Sequence, residues 1–278
     1  MAINRSLSDD RFERILRDFE FLFERVRQEH GELDLRLRDN YFNVYHRGNS
    51  LAKVELGPRE GPYRISISRE FAEGELSDTR FPEPSGKGTL VWRIPPMLLH
   101  AFFQTKHIDR LKRRIAERNY GEEITFEQML ITDNMNREDF YIIDRQVIRP
   151  RADGKRVDAL AIQQVEPGIN KYRFVVLEAK LGCNPELEYE VGPQLQSYLD
   201  DIDQHFDEFK ACYERTYCQM QKTGLFRQPA FDRIEIVRPV EGWIVVGGYS
   251  GMAGPALAKL YKAWPNMKGR VREMFHRW

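Results

Sequence analysis

A chain of 278 residues with 41% hydrophobic content is long enough to bury one large core or two small ones, and its patterning favours two. With 43 basic and 43 acidic residues the formal net charge is zero, which excludes a strongly basic body that binds nucleic acid avidly all over its surface; any such footprint has to be local. No apolar stretch approaches the ~20 residues of a membrane span, and MAINRSLSDD lacks the apolar core of a signal peptide, so a cytoplasmic protein with no membrane partner is expected.

From Phe12 onward, Ile15, Leu16, Phe19, Phe23 and Val26 recur at three- and four-residue steps, predicting an amphipathic helix capped by Ser8 and ending near Gly31. A β-meander follows. Leu33, Leu35 and Leu37 alternate with charged residues, Asp39-Asn40 can turn, YFNVYH is a second strand, and Gly48-Asn49 turns into LAKVEL; YRISIS makes a further strand after Gly61-Pro62. The alternation predicts one packed and one exposed face. On the exposed face Arg36, Arg38, Arg47, Lys53 and Arg64 would make a basic surface, with Tyr41, Phe42 and Tyr45 for stacking, or simply a solvated face. Residues 1–90 are therefore an α+β module suited to recognition or oligomerisation, closed off by the Pro- and Gly-rich segment from Phe81 to Gly88. His46 is expected to be a surface or hydrogen-bonded residue, not a ligand.

Residues 91–120 form a connecting helical segment. WRIPPMLLHAFF carries too many bulky apolar side chains for a free linker. In KHIDRLKRRIAER, Arg110, Lys112, Arg113, Arg114 and Arg118 crowd one helix and are candidates for phosphate contact, the alternative being a solvated helix face. A second basic candidate is the carboxyl-terminal stretch, where Lys259, Lys262, Lys268, Arg270, Arg272 and Arg277 are interleaved with Tyr261, Trp264, Phe275 and Trp278.

Residues 121–278 read as a second domain. Tyr141 to Ile148 is rich in β-formers, Asp153-Gly154 is a turn signal, and Val157 to Ile162 completes a hairpin. The apolar run Tyr172 to Leu177 suits a strand buried on both faces, at whose end stand Glu178 and Lys180. Positions i and i+2 of a strand share a face, so Glu178 and Lys180 point together, and an antiparallel neighbour brings Asp158 to the same patch. Two carboxylates beside one ammonium make a seat for a hard divalent cation such as Mg²⁺, suited to phosphodiester chemistry. A lone strand-end pair would by itself be a surface salt bridge. Further on, Glu190 to Lys222 reads as one long helix with Gly224 as its stop, GWIVVGG as a buried strand, and PALAKLYKAW as a helix begun by Pro255.

Asp158 with Glu178-Ala179-Lys180, followed by Gln194-Leu195-Gln196-Ser197-Tyr198, resembles the PD-(D/E)xK nuclease superfamily in its RecB-like branch with a QxxxY motif; Val157 stands where the family name has proline. The resemblance implies an α/β restriction-endonuclease-like core of order α-β-β-β-α-β, with a mixed central sheet flanked by helices. It implies Mg²⁺ or Mn²⁺ held by Asp158, Glu178 and the Ala179 carbonyl, with Lys180 orienting water or stabilising charge at phosphorus. Glu127 would complete the metal shell directly or through water, Glu123 being the alternative. Gln194 would assist Lys180 or a phosphate, and Tyr198 would brace or contact the strand. DNA is favoured over RNA, and paired cuts in a duplex would need a homodimer. Replacing Asp158 or Glu178 by Ala is expected to abolish cleavage and leave the fold intact. A nucleic-acid-binding or adaptor protein without turnover is the alternative function. Cys183, Cys212 and Cys218 fit no zinc spacing and cannot all pair, as suits a reducing compartment.

Overall fold

The computed structural model describes residues 5–58, 61–74, 79–118, 121–148, 156–226 and 231–274. It is mixed α/β, with one antiparallel sheet and one mixed sheet. The chain divides into two compact units, one of Asn4–Ile124 with Cys218–Arg227, the other chiefly of Thr125–Tyr217 with Gln228–Trp278.

In the first unit, helix α1 (Asp9–Gln28) buries Phe12, Ile15, Phe19, Leu22, Phe23 and Val26, the stripe that its periodicity demands. Asp9 and Asp10 in its first turn and Arg25 and Arg27 in its last complement the helix dipole. Ser8 occupies the N-cap, but its side chain makes no capping bond, and Phe19 leaves helical dihedrals at φ −125°, kinking the helix. Strands β1 (Leu33–Leu37), β2 (Tyr41–His46), β3 (Asn49–Glu55) and β4 (Tyr63–Ser68) follow, then the single turn α2 (Arg69–Ala72) and β5 (Thr89–Ile94). All are antiparallel, in the order β1-β2-β3-β4-β5. Arg47 and Gly48, both at positive φ, make the β2–β3 turn one residue earlier than the Gly-Asn signal suggested. The stretch around Trp92 is not a connector but the last strand of this sheet, and it leads into α3 (Leu99–Phe102) and α4 (Thr105–Arg118) within the same unit.

The basic sheet surface expected here does not form. Every residue of β1 is buried, and Arg36 folds back on Asp34, two residues earlier on the same face, with Nε–Oδ2 at 3.0 Å and Nη2–Oδ1 at 2.9 Å. Such a bidentate partner offsets the cost of burying the guanidinium. Arg38 is buried too, as are Phe42 and Tyr45, while Lys53 and Arg64 share Glu55. His46 is buried with Nδ1 3.0 Å from the Glu32 carbonyl, so it is a hydrogen-bonded histidine whose burial lowers its pKa.

The second unit takes α5 (Glu122–Asn134) from Thr125 onward and continues through β6 (Phe140–Ile148), β7 (Arg156–Gln164), β8 (Lys171–Leu181), α6 (Val191–Gln204), α7 (Phe206–Lys222) as far as Tyr217, β9 (Glu235–Ile236), β10 (Glu241–Gly247), α8 (Ser250–Ala263) and β11 (Val271–Met274). Strands order as β11-β10-β8-β7-β6, with β9 also beside β8; β6, β7 and β8 run antiparallel, and β10 and β11 run parallel to β8. The expected order for this half is helix, three strands, helix, strand; the observed order has two helices, α6 and α7, and the short β9 between β8 and β10, with α8 and β11 after it. The Asp153-Gly154 turn, Phe275, Arg277 and Trp278 lie outside the described residues.

One face of this sheet meets α5: Phe126, Leu130 and Ile131 form a core with Ala159, Ala161, Val175, Leu177 and Ala179. On the other face Phe174 meets Phe206, Phe209 and Tyr213 edge-on. Buried on both sides, β8 is the central strand. It does not stop at the charged residues: its ladder with β10 runs on to Leu181↔Gly247, because main-chain pairing is indifferent to which side chains stand on it. The expected long helix is two, broken at His205 (φ −110°, ψ 27°). Helix α8 starts five residues before Pro255, which it takes into its interior. The basic tail contributes β11, whose Arg272 lies 4.8 Å over the Trp243 ring.

Candidate functional site

Alternation along β8 sends Val175, Leu177 and Ala179 to the α5 core and leaves Phe174, Val176, Glu178 and Lys180 on the opposite face. Glu178 stands level with Ile244 and Lys180 with Val246 of β10, so apolar neighbours wall the pair on that side. Across β8, the ladder with β7 ends at Ala159↔Leu177. Beyond that rung the Asp158 carboxylate takes the place of a backbone acceptor, Oδ2 receiving the Ala179 N–H at 2.9 Å. The structure thus brings Asp158, Glu178, Ala179 and Lys180 together.

Glu178 is completely buried and Lys180 is 7% exposed. The ammonium lies 3.1 Å from Glu178 Oε1 and 2.9 Å from Glu186 Oε2. Neither Glu178 oxygen receives a hydrogen bond, so the Lys180 contact is a charge contact without the direction of a bond. Burial, reinforced by the Asp158 charge and opposed by Lys180, pushes the Glu178 carboxyl up to about 8. Burial alone would lower the Lys180 pKa, but Glu178, Glu186 and Asp158 outweigh it and keep the ammonium protonated. A buried carboxylate with two undonated oxygens beside a second carboxylate has the chemistry of a seat for a hard cation, which would satisfy lone pairs that the protein leaves open. Among the described residues no group of three or more His, Cys, Asp and Glu side chains is arranged to hold a metal, so Asp158, Glu178 and Glu127 do not form a single three-carboxylate cage.

Glu127 lies on α5, next to the Phe126 that packs toward Leu177 and Ala179. Its Oε2 accepts from Arg145 Nη2 at 3.3 Å and from Gln146 Nε2 at 3.2 Å. Glu123 opens the same helix. Gln194 and Tyr198, one turn apart on α6, bond to each other, Nε2 to the phenol at 2.7 Å, and the buried phenol donates to the Arg156 carbonyl at 2.8 Å. The pair therefore ties α6 to the start of β7, two residues before Asp158.

Sequence reasoning missed two participants. Glu186 sits on a 3₁₀ turn (Pro185–Leu187) with Asn184 as its side-chain cap, and the signal was present as an Asn-Pro start with an acid just after it. Arg145 is buried beside a β-bulge between Ile142 and Asp144, where Asp144 accepts from Tyr213 at 2.8 Å. An Asp-Arg pair inside a strand pattern gave no hint that both would point inward.

Of the candidate phosphate contacts on α4, Lys112 is engaged by Glu29 at 2.7 Å and by Glu32, and Arg114 lies 3.8 Å from Glu117. Arg113 is exposed and Arg110 half-buried. Cys183, Cys212 and Cys218 are not joined by disulfides. No helix among the described residues is long and apolar enough to cross a membrane. No protein family, curated protein or solved structure matches the chain.

Proposed function

We propose that the protein is a Mg²⁺- or Mn²⁺-dependent nuclease of the PD-(D/E)xK kind with a restriction-endonuclease-like core, hydrolysing phosphodiester bonds in DNA. The observation that carries this reading is Glu178: a wholly buried carboxylate with no hydrogen-bond donor, level with an ammonium and one strand from a second carboxylate. A core position of that kind is costly unless a ligand completes it. The strand order and the Gln194–Tyr198 clasp lend further support.

Asp158, Glu178 and the Ala179 carbonyl would hold the cation, which when bound polarises the scissile phosphate and acidifies a coordinated water. Lys180, kept charged by its carboxylate neighbours, orients the attacking water and offsets the negative charge that builds at phosphorus. Tyr198 anchors α6 to β7, and through it Gln194 stands ready to move onto Lys180 or a phosphate oxygen. Glu127, on the helix that covers the opposite face of the sheet and engaged there by Arg145 and Gln146, is given no part in the seat. Exposed Arg113 on α4 offers a phosphate contact, and two copies of the chain act on a duplex.

The test is cleavage of single- and double-stranded DNA and RNA by the purified full chain with Mg²⁺, with Mn²⁺ and with chelator. Cation-dependent DNA cleavage that falls about a thousandfold in Glu178→Gln and Lys180→Met is the expected result. Binding without cleavage, unchanged in Asp158→Ala, identifies an adaptor instead.

A further inference from the structure

Lys180 is shared between two carboxylates that differ in kind. Glu178 is buried on β8, whereas the Glu186 side chain is 42% exposed and reaches in from the turn that follows the strand. That turn is rigid at each joint. Asn184 Oδ1 accepts the Glu186 N–H at 2.9 Å, Pro185 opens the 3₁₀ turn, Leu187 is fully buried beneath it, and the Glu186 carbonyl accepts the Glu190 N–H at 3.0 Å. Glu186 therefore holds its carboxylate against the ammonium at 2.9 Å from a fixed backbone.

In an apolar, low-dielectric wall an ammonium and a carboxylate attract strongly, and nothing on β8 itself stops Lys180 from settling onto both oxygens of Glu178. An ammonium hydrogen-bonded there would occupy the lone pairs that a divalent cation needs. The observed arrangement differs: Lys180 touches Oε1 at 3.1 Å without hydrogen-bond direction, and both oxygens stay undonated. We propose that Glu186 is a positioning residue that draws the Lys180 ammonium outward and so keeps Glu178 open to a divalent cation. This role rests on the nuclease reading of the same site. Glu186 acts through Lys180 and touches no reacting atom.

The experiment is Mn²⁺ binding, followed by electron paramagnetic resonance and calorimetry without nucleic acid, to the full chain and to Glu186→Ala and Glu186→Gln, each also made in a Lys180→Met background. Thermal melting checks that each variant folds, which the exposure of Glu186 favours. Glu186→Ala is expected to weaken Mn²⁺ binding about tenfold, as loss of an outer partner of a metal site does. Glu186→Gln, which keeps an acceptor for the ammonium, stays within about twofold of the parent, and Glu186→Ala has no further effect once Lys180 is Met. Equal losses in the Ala and Gln variants, an undiminished loss in the Lys180→Met background, or no loss at all would each overturn the role. Should the parent chain bind no Mn²⁺, the cation seat itself fails, and the nuclease reading falls with it. Parent binding that Glu178→Gln abolishes, with Glu186→Ala still binding normally, sinks only the part given to Glu186.

Discussion

Asp158 Oδ2 accepts the backbone N–H of Ala179 at 2.9 Å, one rung beyond the last backbone pairing of β7 with β8. A side chain there does the work of a strand, closing a ladder whose main chains have parted. The residue proposed as a cation ligand is therefore also a structural acceptor, so Asp158→Ala, expected to leave the fold intact, carries a stability cost.

Asp158→Ala should cost about 1–3 kcal/mol, because the Ala179 N–H loses its acceptor at a partly buried position. Asp158→Asn keeps an oxygen for that N–H and should melt close to the parent while losing cation-dependent cleavage. Denaturant titration of both variants beside a cleavage assay separates the two roles, and equal stability of the Ala and Asn forms would show that the bond contributes nothing.

Glu178 makes stability depend on pH in a stated direction. Its carboxyl is raised in the folded chain from 4.5 to about 8, so the folded state holds a proton that the unfolded state releases. The stabilising contribution is complete below about pH 4.5 and is lost as pH rises toward about 8, by on the order of 5 kcal/mol at most. Melting curves in chelator should fall across this window for the parent and stay flatter for Glu178→Gln. Saturating Mg²⁺ at the alkaline end should recover part of the loss in the parent alone.

The phenol of Tyr198 both receives Gln194 and donates to the Arg156 carbonyl. Tyr198→Phe should lower stability by about 1–2 kcal/mol, since a partly buried carbonyl and an amide lose their partner with no gain in packing. Gln194→Ala leaves the Arg156 bond in place and should cost less. Chemical denaturation ranks them, and the reverse order would refute the clasp.

Gly182, two residues past Lys180, admits no side chain. A Cβ there would lie 2.5 Å from the Gly248 carbonyl oxygen and 2.8 Å from that of Tyr249, both backbone atoms that cannot swing aside. Gly182→Ala should therefore destabilise by about 2 kcal/mol or more and prise apart the ends of β8 and β10 beside the site. A melting temperature within a degree of the parent would contradict it.

Much of the second unit was legible as sequence. The run from Tyr172 to Leu177 had to be a doubly buried strand, and an acid and a base two residues apart had to share a face, because the period of a strand admits nothing else. The same logic put Gln194 and Tyr198 on one face of a helix. Local patterns failed where the decisive partner was remote. Arg36 read as surface because alternation is blind to what covers the second face of a strand, and its burial depends on Asp34 folding beside it. Lys112 read as a phosphate contact because charge runs do not name counterions, and Glu29 and Glu32 reach it from some 80 positions away in the chain.

The sequence by itself determined which residue types stand on one face and in what order the strands come, since these follow from dihedral periodicity within a few residues. Only the tertiary structure decided what each charge does: that Asp158 completes a ladder, that Glu178 is wholly dehydrated, and that Glu186 shares Lys180. Solvation and ion pairing are set by distance through space, and the distances that matter here arise when β7, β8 and the turn after Lys180 converge.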